Sequence, residues 1–347
     1  MKDKPLVYWV STPTEVEYDM SILSKVTNKM DLRICTVGTV SSIHSYGIDI
    51  DFIPYDSSKV PYEVDIDGSG QRKLFERIVK DSPDLVIKKA GWTGSLTGNM
   101  DLFPKIMKNA GIKHCLWTSE QGCLRNWQAG IAKYYDWVVL NNKEDLMWYK
   151  HEFGNSKKFS YMPFGCVPEF HKKVETERKS LICSYSNPQV SIPIKANSLE
   201  RIVGALTPYY EPQDLALYGK DKWYPKEYRK FWRGEFYYSK FPEINSSSDI
   251  MLGISANTET GGYGTKLAKM LSCGAFVLWD YTKGIENDFE NGKHLVWSKS
   301  KEETLSLVKY YLDHPDERRK IADAGQKYAH EHLLWEKNLL GLVNEIE

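Results

Sequence analysis

The sequence has no excess of either charge, no paired cysteine motif and no long apolar run. Lysine and arginine together number 46, as do aspartate and glutamate, so no overall field recruits nucleic acid or a membrane. The six cysteines are scattered without a C-x-x-C pair, which predicts reduced thiols. Charges interrupt every apolar run well short of a membrane span, and no signal peptide opens the chain. We therefore expect a cytoplasmic protein without a membrane span.

Two sets of alternating strand and helix patterns predict two domains. Apolar runs that indicate buried strands lie at 6–10, 33–37, 85–87, 114–117 and 137–140, and then at 181–183, 215–218, 250–254 and 276–279. Such alternation predicts α/β domains with parallel sheets covered on both faces. The predicted boundaries are 1–165 for an N-terminal Rossmann-like domain, 166–180 for a linker, 181–330 for a C-terminal Rossmann-like domain and 331–347 for a helix that crosses back.

The most informative segment is a glycine-rich loop that leads into a short helical pattern. Residues 261–266 read Gly-Gly-Tyr-Gly-Thr-Lys, and apolar residues then recur on one side. A loop followed by a helix start can place backbone N–H groups, a helix dipole and the lysines Lys266 and Lys269 around a phosphate. A glycine-rich loop is weak evidence by itself, and the segments that follow it make the prediction more specific.

Those segments carry a family resemblance. They read Cys273-Gly-Ala275, Asp280-Tyr-Thr-Lys-Gly284, Glu290-Asn-Gly-Lys293, His314-Pro-Asp-Glu-Arg318 and Ala322-Asp-Ala-Gly325. In this order they resemble the glycosyl-transferase-like domain of spore-maturation-type glycosyltransferases, which have the GT-B fold. The resemblance covers about residues 245–335 and extends loosely through 161–168 and 217–219. It implies two Rossmann-like domains whose parallel sheets face a central cleft, with a nucleotide-sugar donor in the second domain.

The resemblance implies two donor residues that depart from the family pattern. The family has an Arg that meets the phosphate and, three residues later, a Glu that holds the ribose; here these positions are Lys266 and Lys269. Lys266 keeps the charge without the bidentate fork. Lys269 reverses the charge and cannot accept a hydrogen bond from a ribose hydroxyl. Either Glu259 holds the ribose, or the donor is unusual, or catalysis is impaired. The plainer alternative is that both lysines are solvated helix charges.

Further donor residues follow the predicted strands. The resemblance places the loop 184–188 near the donor phosphates, with Lys195, or second Arg201, as the basic residue of the next helix. It also places the turn at 218–219 near the base, where a peptide group could bind uracil. The plainer alternative for 184–188 is an ordinary β-to-α loop. The predicted donor site is Ser184, Ser186, Asn187, Lys195, Tyr218, Gly219, Glu259, Gly262, Tyr263, Gly264, Thr265, Lys266 and Lys269.

A carboxylate in the first domain is the predicted general base. Glu120 comes shortly after the predicted strand 114–117, and a carboxylate in the cleft could take the proton of an acceptor hydroxyl. The position loosely resembles that of phage DNA glucosyltransferases, with Ser119 where their Asp would fall. Asp101 is the second candidate. The plainer alternative for Glu120 is a helix cap.

Aromatic segments are the predicted acceptor contacts. Trp92 and Thr93 lie in a glycine-bounded loop at 91–98, and Trp223 lies in the segment 220–240, which interleaves seven basic, three acidic and eight aromatic residues. Such a segment suits sugar stacking, packing at a domain interface, or nucleic acid. The neutral chain favours the first two. The acceptor itself stays open between a glycan, a protein and a nucleobase.

Two Asp-x-Asp motifs resemble the metal motif of the other large glycosyltransferase fold. The pattern predicts a strand edge at 49–51 and a polar turn at 65–67, so we expect no metal at either. Fixed cations and N–H groups can neutralise a departing pyrophosphate. The sequence thus predicts a metal-independent glycosyltransferase without a cofactor that uses a UDP-linked sugar. The alternatives are a phage-type DNA glycosyltransferase acting on a hydroxymethylated base and a non-catalytic nucleotide-sugar or glycan-binding relative.

Overall fold

The chain divides into two compact units. In the computed structural model the described residues are 4–11, 31–37, 49–53, 69–90, 102–118, 125–186, 193–235, 240–255 and 261–346; for 11, 31–37, 49–53, 69–73 and 223 only the backbone is described. The first unit comprises Met1–Pro163 with Trp335–Glu347, and the second comprises Phe164–Leu334. None of the described helices is long and apolar enough to cross a membrane.

The first unit is built on a seven-stranded parallel sheet. Its strands are β1 (Leu6–Ser11), β2 (Asp31–Val37), β3 (Asp49–Ile53), β4 (Leu85–Ala90), β5 (His114–Thr118), β6 (Trp137–Leu140) and β7 (Lys158–Tyr161). Their order is β3-β2-β1-β4-β5-β6-β7, so the direction of winding reverses between β1 and β4. Ligands of open α/β sheets bind at such a reversal, beyond the carboxyl ends of the strands.

Helices of the first unit cover the sheet with their apolar faces. They are α1 (Ser69–Asp81), α2 (Leu102–Asn109), α3 (Arg125–Ala132) and α4 (Lys143–Phe153). Asn142 starts α4, because its side chain accepts a hydrogen bond from the Asp145 N–H at 2.7 Å. The core combines apolar residues of several strands, such as Val86, Leu116 and Val138.

The second unit is built on a six-stranded parallel sheet. Its strands are β8 (Ser180–Tyr185), β9 (Leu215–Tyr218), β10 (Trp232–Gly234), β11 (Ser248–Gly253), β12 (Val277–Asp280) and β13 (Val296–Ser298). Their order is β10-β9-β8-β11-β12-β13, so the winding reverses between β8 and β11. The helices are α5 (Pro193–Leu199), α6 (Phe241–Ser246), α7 (Lys266–Ser272), α8 (Lys301–Asp313) and α9 (Pro315–His332).

Successive residues of these strands enter two different cores. Cys183 and Met251 belong to the core on one face of the sheet, whereas Ile182 and Ile250 belong to the core on the other. This alternation is the period of two that a strand covered on both faces requires. Gly253 in β11 is needed beside Trp279, because a Cβ there would lie 1.9 Å from the indole ring. The predicted parallel α/β architecture is confirmed in each unit.

The last helix, α10 (Trp335–Ile346), belongs to the first unit. Trp335 meets Trp117 of β5 edge-on, with ring centroids 5.5 Å apart. The predicted linker at 166–180 lies in the second unit, where the Cys166 N–H donates to the Leu333 carbonyl at 2.7 Å. Four cysteines with described side chains, Cys115, Cys166, Cys183 and Cys273, are buried and form no disulfide.

Candidate functional site

The reversal of strand order in the second unit brings together the ends of β8 and β11 and the helices that follow them. Lys266 is the first residue of α7, and its Nζ donates to the Tyr185 carbonyl, at the end of β8, over 3.4 Å. The same Nζ lies 5.6 Å from the centroid of the Tyr185 ring. The Lys266 ammonium group is therefore held directly beyond the carboxyl end of β8.

A second lysine acts on this ammonium group. Lys195 lies in the first turn of α5, the helix that follows β8. Burial of the half-buried Lys266, together with repulsion from Lys195, lowers the pKa of Lys266 to about 8. Two positive charges that repel each other favour an anion beside them, because an anion relieves their repulsion. This arrangement can bind a phosphate group.

The glycine loop precedes α7 and has the backbone conformation that glycine permits. Gly261 and Gly262 both have φ of +90°, which other residues rarely adopt. A Cβ at Gly264 would meet nothing within 4 Å, so the loop is open there. Thr265 is the N-cap of α7 and makes no side-chain capping bond. The side chain of Tyr263 is buried against Phe289, with ring centroids 4.8 Å apart, so only its backbone faces the loop.

The two predicted serines of the loop after β8 are occupied within the protein. Ser184 is buried, and its hydroxyl donates to the Leu252 carbonyl at 3.4 Å. Ser186 is also buried, and its hydroxyl lies 3.2 Å from the Tyr224 hydroxyl. These side chains hold β8 to its neighbours, and the geometry argues against the prediction that they contact a donor phosphate.

The peptide group between Tyr218 and Gly219 is likewise occupied. The Tyr218 carbonyl accepts hydrogen bonds from the Ser186 N–H at 3.0 Å and from the Tyr224 hydroxyl at 2.9 Å. The Gly219 N–H donates to the Gly234 carbonyl at 3.0 Å. Since the carbonyl has two acceptor positions and the N–H donates once, this peptide group is saturated. The geometry argues against the prediction that it binds uracil.

Lys269 has surroundings different from those of Lys266. It is 2% exposed, so the alternative that both lysines are solvated helix charges is wrong. Burial, and the positive charge of Lys269, lower the pKa of His171 to about 3. The charge of Lys269 also acts on the thiols of Cys166 and Cys273. The two lysines therefore act on different neighbours, which argues against a single diphosphate bound by both.

Comparisons with known proteins identify similar folds and a matching family model. Residues 196–343 match the model of a family described as glycosyl transferase-like. HepE from Anabaena, solved with UDP and glucose, aligns over 98% of both chains with a TM-score of 0.70 and 10% identity. Sucrose-phosphate synthase from Thermosynechococcus elongatus aligns over 99% of this chain and 98% of its own, with a TM-score of 0.70 and 11% identity.

T4 phage BGT in complex with its UDP-glucose substrate aligns over 99% of both chains, with a TM-score of 0.58 and 9% identity. No curated protein sequence matches the chain. The chain has the GT-B fold, with a glycosyl transferase-like domain at 196–343. The fold predicted from the sequence is thus confirmed, and the family model matches the part of the chain that carries the predicted family motifs.

Several predicted site residues of this GT-B chain lie outside the described residues. They are Glu120 and Asp101 as the catalytic candidates, Trp92 and Thr93 as acceptor contacts, and Asn187 and Glu259 as donor contacts. The backbone of Trp223 lies in a short 3-10 helix, Asp221–Trp223. Of the Asp-x-Asp motifs, 65–67 is also outside, and 49–51 lies in the edge strand β3. The roles of these residues stay predictions.

The basic aromatic segment, 220–240, has exposed charged side chains and several buried aromatic rings. Among its described side chains, Tyr224, Tyr228 and Phe231 are buried, and the Trp232 Nε1 donates to the Gly219 carbonyl at 2.7 Å. The exposed cations are Lys220, Lys222, Lys226, Arg229, Lys230, Arg233 and Lys240. These three buried rings anchor the segment to the core, so none of the three is a stacking surface for a sugar or a base.

Sequence reasoning missed an ion pair between Arg201 and Asp280 in the second unit. Asp280, at the end of β12, accepts two hydrogen bonds from Arg201, Nε to Oδ1 at 3.0 Å and Nη2 to Oδ2 at 2.7 Å. The sequence predicts Arg201 only as the second candidate for a phosphate contact, and it gives Asp280 only as part of a family motif. The spacing of Ser198 and Arg201, three residues apart on one helix face, was the available signal.

Proposed function

We propose that the protein is a glycosyltransferase that moves a sugar from a UDP-sugar to an acceptor hydroxyl. The observation that carries the proposal is the Lys266 ammonium group, which is held beyond the carboxyl end of β8 next to an open glycine loop and is repelled by Lys195. The family match supports glycosyl transfer. That HepE was solved with UDP and with UDP-glucose supports a UDP-linked donor.

The two lysines have a defined task in this reaction. When the sugar leaves, negative charge develops on the diphosphate, and positioned cations lower the energy of that transition state. Lys266 lies beside the Tyr185 carbonyl, and the charge of Lys195 acts on it, so positive charge is in place before the donor arrives. A bound diphosphate would raise the pKa of Lys266, because its negative charge attracts the ammonium group and offsets the repulsion from Lys195. We propose that this pair neutralises the leaving group without a metal ion.

Binding of UDP-glucose tests the donor site directly. We expect UDP-glucose at 100 times its Kd to stabilise the protein by about 2.7 kcal/mol, with and without EDTA. Lys266→Met should abolish most of this shift, whereas Lys320→Met, at an exposed position of α9, should leave it unchanged. A shift that requires Mn²⁺ would contradict the metal-independent site. Hydrolysis or transfer of labelled glucose would separate an enzyme from a non-catalytic binding relative.

A DNA glycosyltransferase is the second candidate, and the exposed cations of the segment 220–233 favour it. Binding of duplex DNA through those cations would weaken linearly on a logarithmic salt scale, by about 0.9 for each phosphate neutralised. Fluorescence anisotropy of a labelled duplex between low and physiological salt measures this slope. Lys226→Gln with Lys230→Gln should reduce it. The absence of duplex binding at low salt would eliminate this candidate.

A further inference from the structure

The carboxylate of Asp280 is a buried charge with a complete set of partners. The residue is 1% exposed and ends β12, and Arg201 holds both of its oxygens. Ser198 forms a further hydrogen bond with it. Burial raises the pKa of Asp280, while the bonds from Arg201 and Ser198 oppose that rise. A buried carboxylate is unfavourable without such partners, so Asp280 depends on both of them. We call Asp280, Arg201 and Ser198 the Asp280 cluster.

The Asp280 cluster fixes one face of α5. Ser198 and Arg201 lie three residues apart, and Lys195 lies three residues before Ser198, so Ser198 neighbours both of them on the surface of the helix. A π-helical turn at Glu200–Gly204 continues α5 and includes Arg201. Such turns change the register of a helix locally and are frequent at functional sites. Asp280 therefore anchors, through Ser198 and Arg201, the stretch of helix that carries Lys195.

The cluster also holds the strand that leads into the glycine loop. The Ser255 N–H, directly after β11, donates to the Ser198 hydroxyl at 2.9 Å. That hydroxyl thus accepts from β11 and bonds to the carboxylate that ends β12. The start of α5, the approach to the loop and the end of β12 are joined through Ser198 and Asp280.

We propose that Asp280 is a positioning residue for the donor phosphates: its bonds to Arg201 and Ser198 hold Lys195 opposite Lys266. The inference rests on the proposed donor site. Asp280 acts through α5 and needs no contact with the donor. The competing explanation is that the ion pair only stabilises the second unit.

The sign of one substitution separates the two explanations. Asp280→Asn removes a negative charge from the unit that would bind the anionic donor, so the change of charge alone would leave the binding of that donor unchanged or strengthen it. Loss of the anchor on α5 would instead weaken it, because Lys195 would no longer be held opposite Lys266. If the ion pair only stabilises the unit, Asp280→Asn would lower the melting temperature without weakening donor binding by the folded protein.

The experiment is calorimetric titration of UDP-glucose well below the melting temperature of each variant. We expect Asp280→Asn to raise the Kd about tenfold, which is about 1.4 kcal/mol. Arg201→Lys keeps the charge but loses the fork, and should raise the Kd about threefold. The matched control is Asp249→Asn, whose carboxylate pairs with Arg178 at 2.9 Å and Arg318 at 3.0 Å elsewhere in the unit. It should lower the melting temperature and leave the Kd unchanged.

A double-variant cycle tests whether Asp280 acts through Lys195. If it does, Asp280→Asn should add little to Lys195→Met, because the lysine that it positions is already gone. Additive effects would overturn the role. An unchanged or lower Kd of UDP-glucose in Asp280→Asn would also overturn the positioning role. If Asp280→Asn does not fold, an unchanged or lower Kd in Arg201→Lys would overturn it. If the unaltered protein binds no UDP-glucose, both the proposed donor site and this inference are wrong. If the unaltered protein and the variants bind UDP-glucose with equal Kd, only the positioning role is wrong.

Discussion

Both units place two lysines at the reversal of their strand order, yet the two pairs do different things. In the second unit, Lys195 lies in the first turn of α5 and Lys266 is the first residue of α7, both in segments that follow the strands. In the first unit, Lys88 and Lys89 lie within β4 itself and are only 6% and 3% exposed. A lysine that follows a strand faces the edge where ligands bind, whereas a lysine inside the strand is part of the sheet.

The contacts of the strand lysines bear this out. The Lys88 Nζ donates to the Lys89 carbonyl at 2.7 Å, and the Lys89 Nζ lies 5.4 Å from the centroid of the Trp117 ring. Both charges are therefore engaged by the sheet of their own unit. The comparison teaches that a basic residue near the end of a strand is a candidate for binding the sugar donor only when it lies after the last residue of that strand.

The largest expected effect concerns the division of work between the units. If the first unit supplies the general base, Glu120→Gln should lower turnover about 10²-fold or more, with little change in the Kd of UDP-glucose. The measurement is initial rate with labelled donor beside calorimetric titration. Glu76→Gln, at an exposed position of α1, is the control and should change neither. Turnover near that of the unaltered protein would remove Glu120 from the mechanism.

The second prediction tests the two lysine pairs directly. Lys266→Ala should weaken UDP-glucose binding by about 1.5–3 kcal/mol, the range for a hydrogen bond to a charged group. Lys89→Met preserves the length of the side chain within β4 and should leave donor affinity unchanged while altering the melting temperature. Equal losses of affinity in both variants would break the comparison, since the strand lysine would then also serve the donor.

Much of the fold could be predicted because buried strands have a simple signal. The apolar runs of β1, β5, β8 and β12 were predicted to within one or two residues of the observed strands. The short strands β7, β10 and β13 were missed, and each lies at an edge of its sheet. Edge strands are short and polar, so they lack the continuous apolar run of a strand covered on both faces.

The site was harder to predict than the fold, because a residue type near a strand end does not reveal its partners. Lys266 was singled out from its place after the glycine loop, and its position beyond β8 agrees with that choice. Ser186 has an equally suitable position in the sequence, but its hydroxyl is occupied by Tyr224, nearly forty residues away. Asp280 and Arg201 are separated by 79 residues, and only the folded chain shows that they pair.

The third prediction uses the lowered pKa of Lys266. Since this pKa is about 8, the ammonium group loses its proton as pH rises through 8, whereas the phosphates of UDP-glucose stay ionised. Affinity should therefore fall by about tenfold between pH 7 and pH 9.5, about 1.4 kcal/mol. Lys266→Arg keeps its charge throughout this range and should give a flat profile. Parallel profiles for both proteins would show that another group titrates.

The last prediction compares the buried His171 of the second unit with the half-buried His114 of the first. The His171 Nδ1 accepts the Val167 N–H at 2.9 Å, so that nitrogen carries no proton. The His114 Nδ1 lies 3.0 Å from the Ile112 carbonyl, so it is the protonated nitrogen there. Burial lowers the pKa of both rings, but Lys269 lowers that of His171 further, to about 3, whereas the Ile112 bond opposes the shift at His114.

The sign follows from the protons bound. Between pH 3 and 6.5 the unfolded chain protonates His171 and the folded protein does not, so the free energy of unfolding falls as pH is lowered. The slope from this group is at most about 1.4 kcal/mol per pH unit. His171→Gln should remove that slope from urea unfolding curves between pH 5 and 6.5, and His114→Gln should remove less, because its pKa is held up by the Ile112 carbonyl. A larger change of slope in His114→Gln would mean that the first unit, and not the second, carries the acid-sensitive histidine.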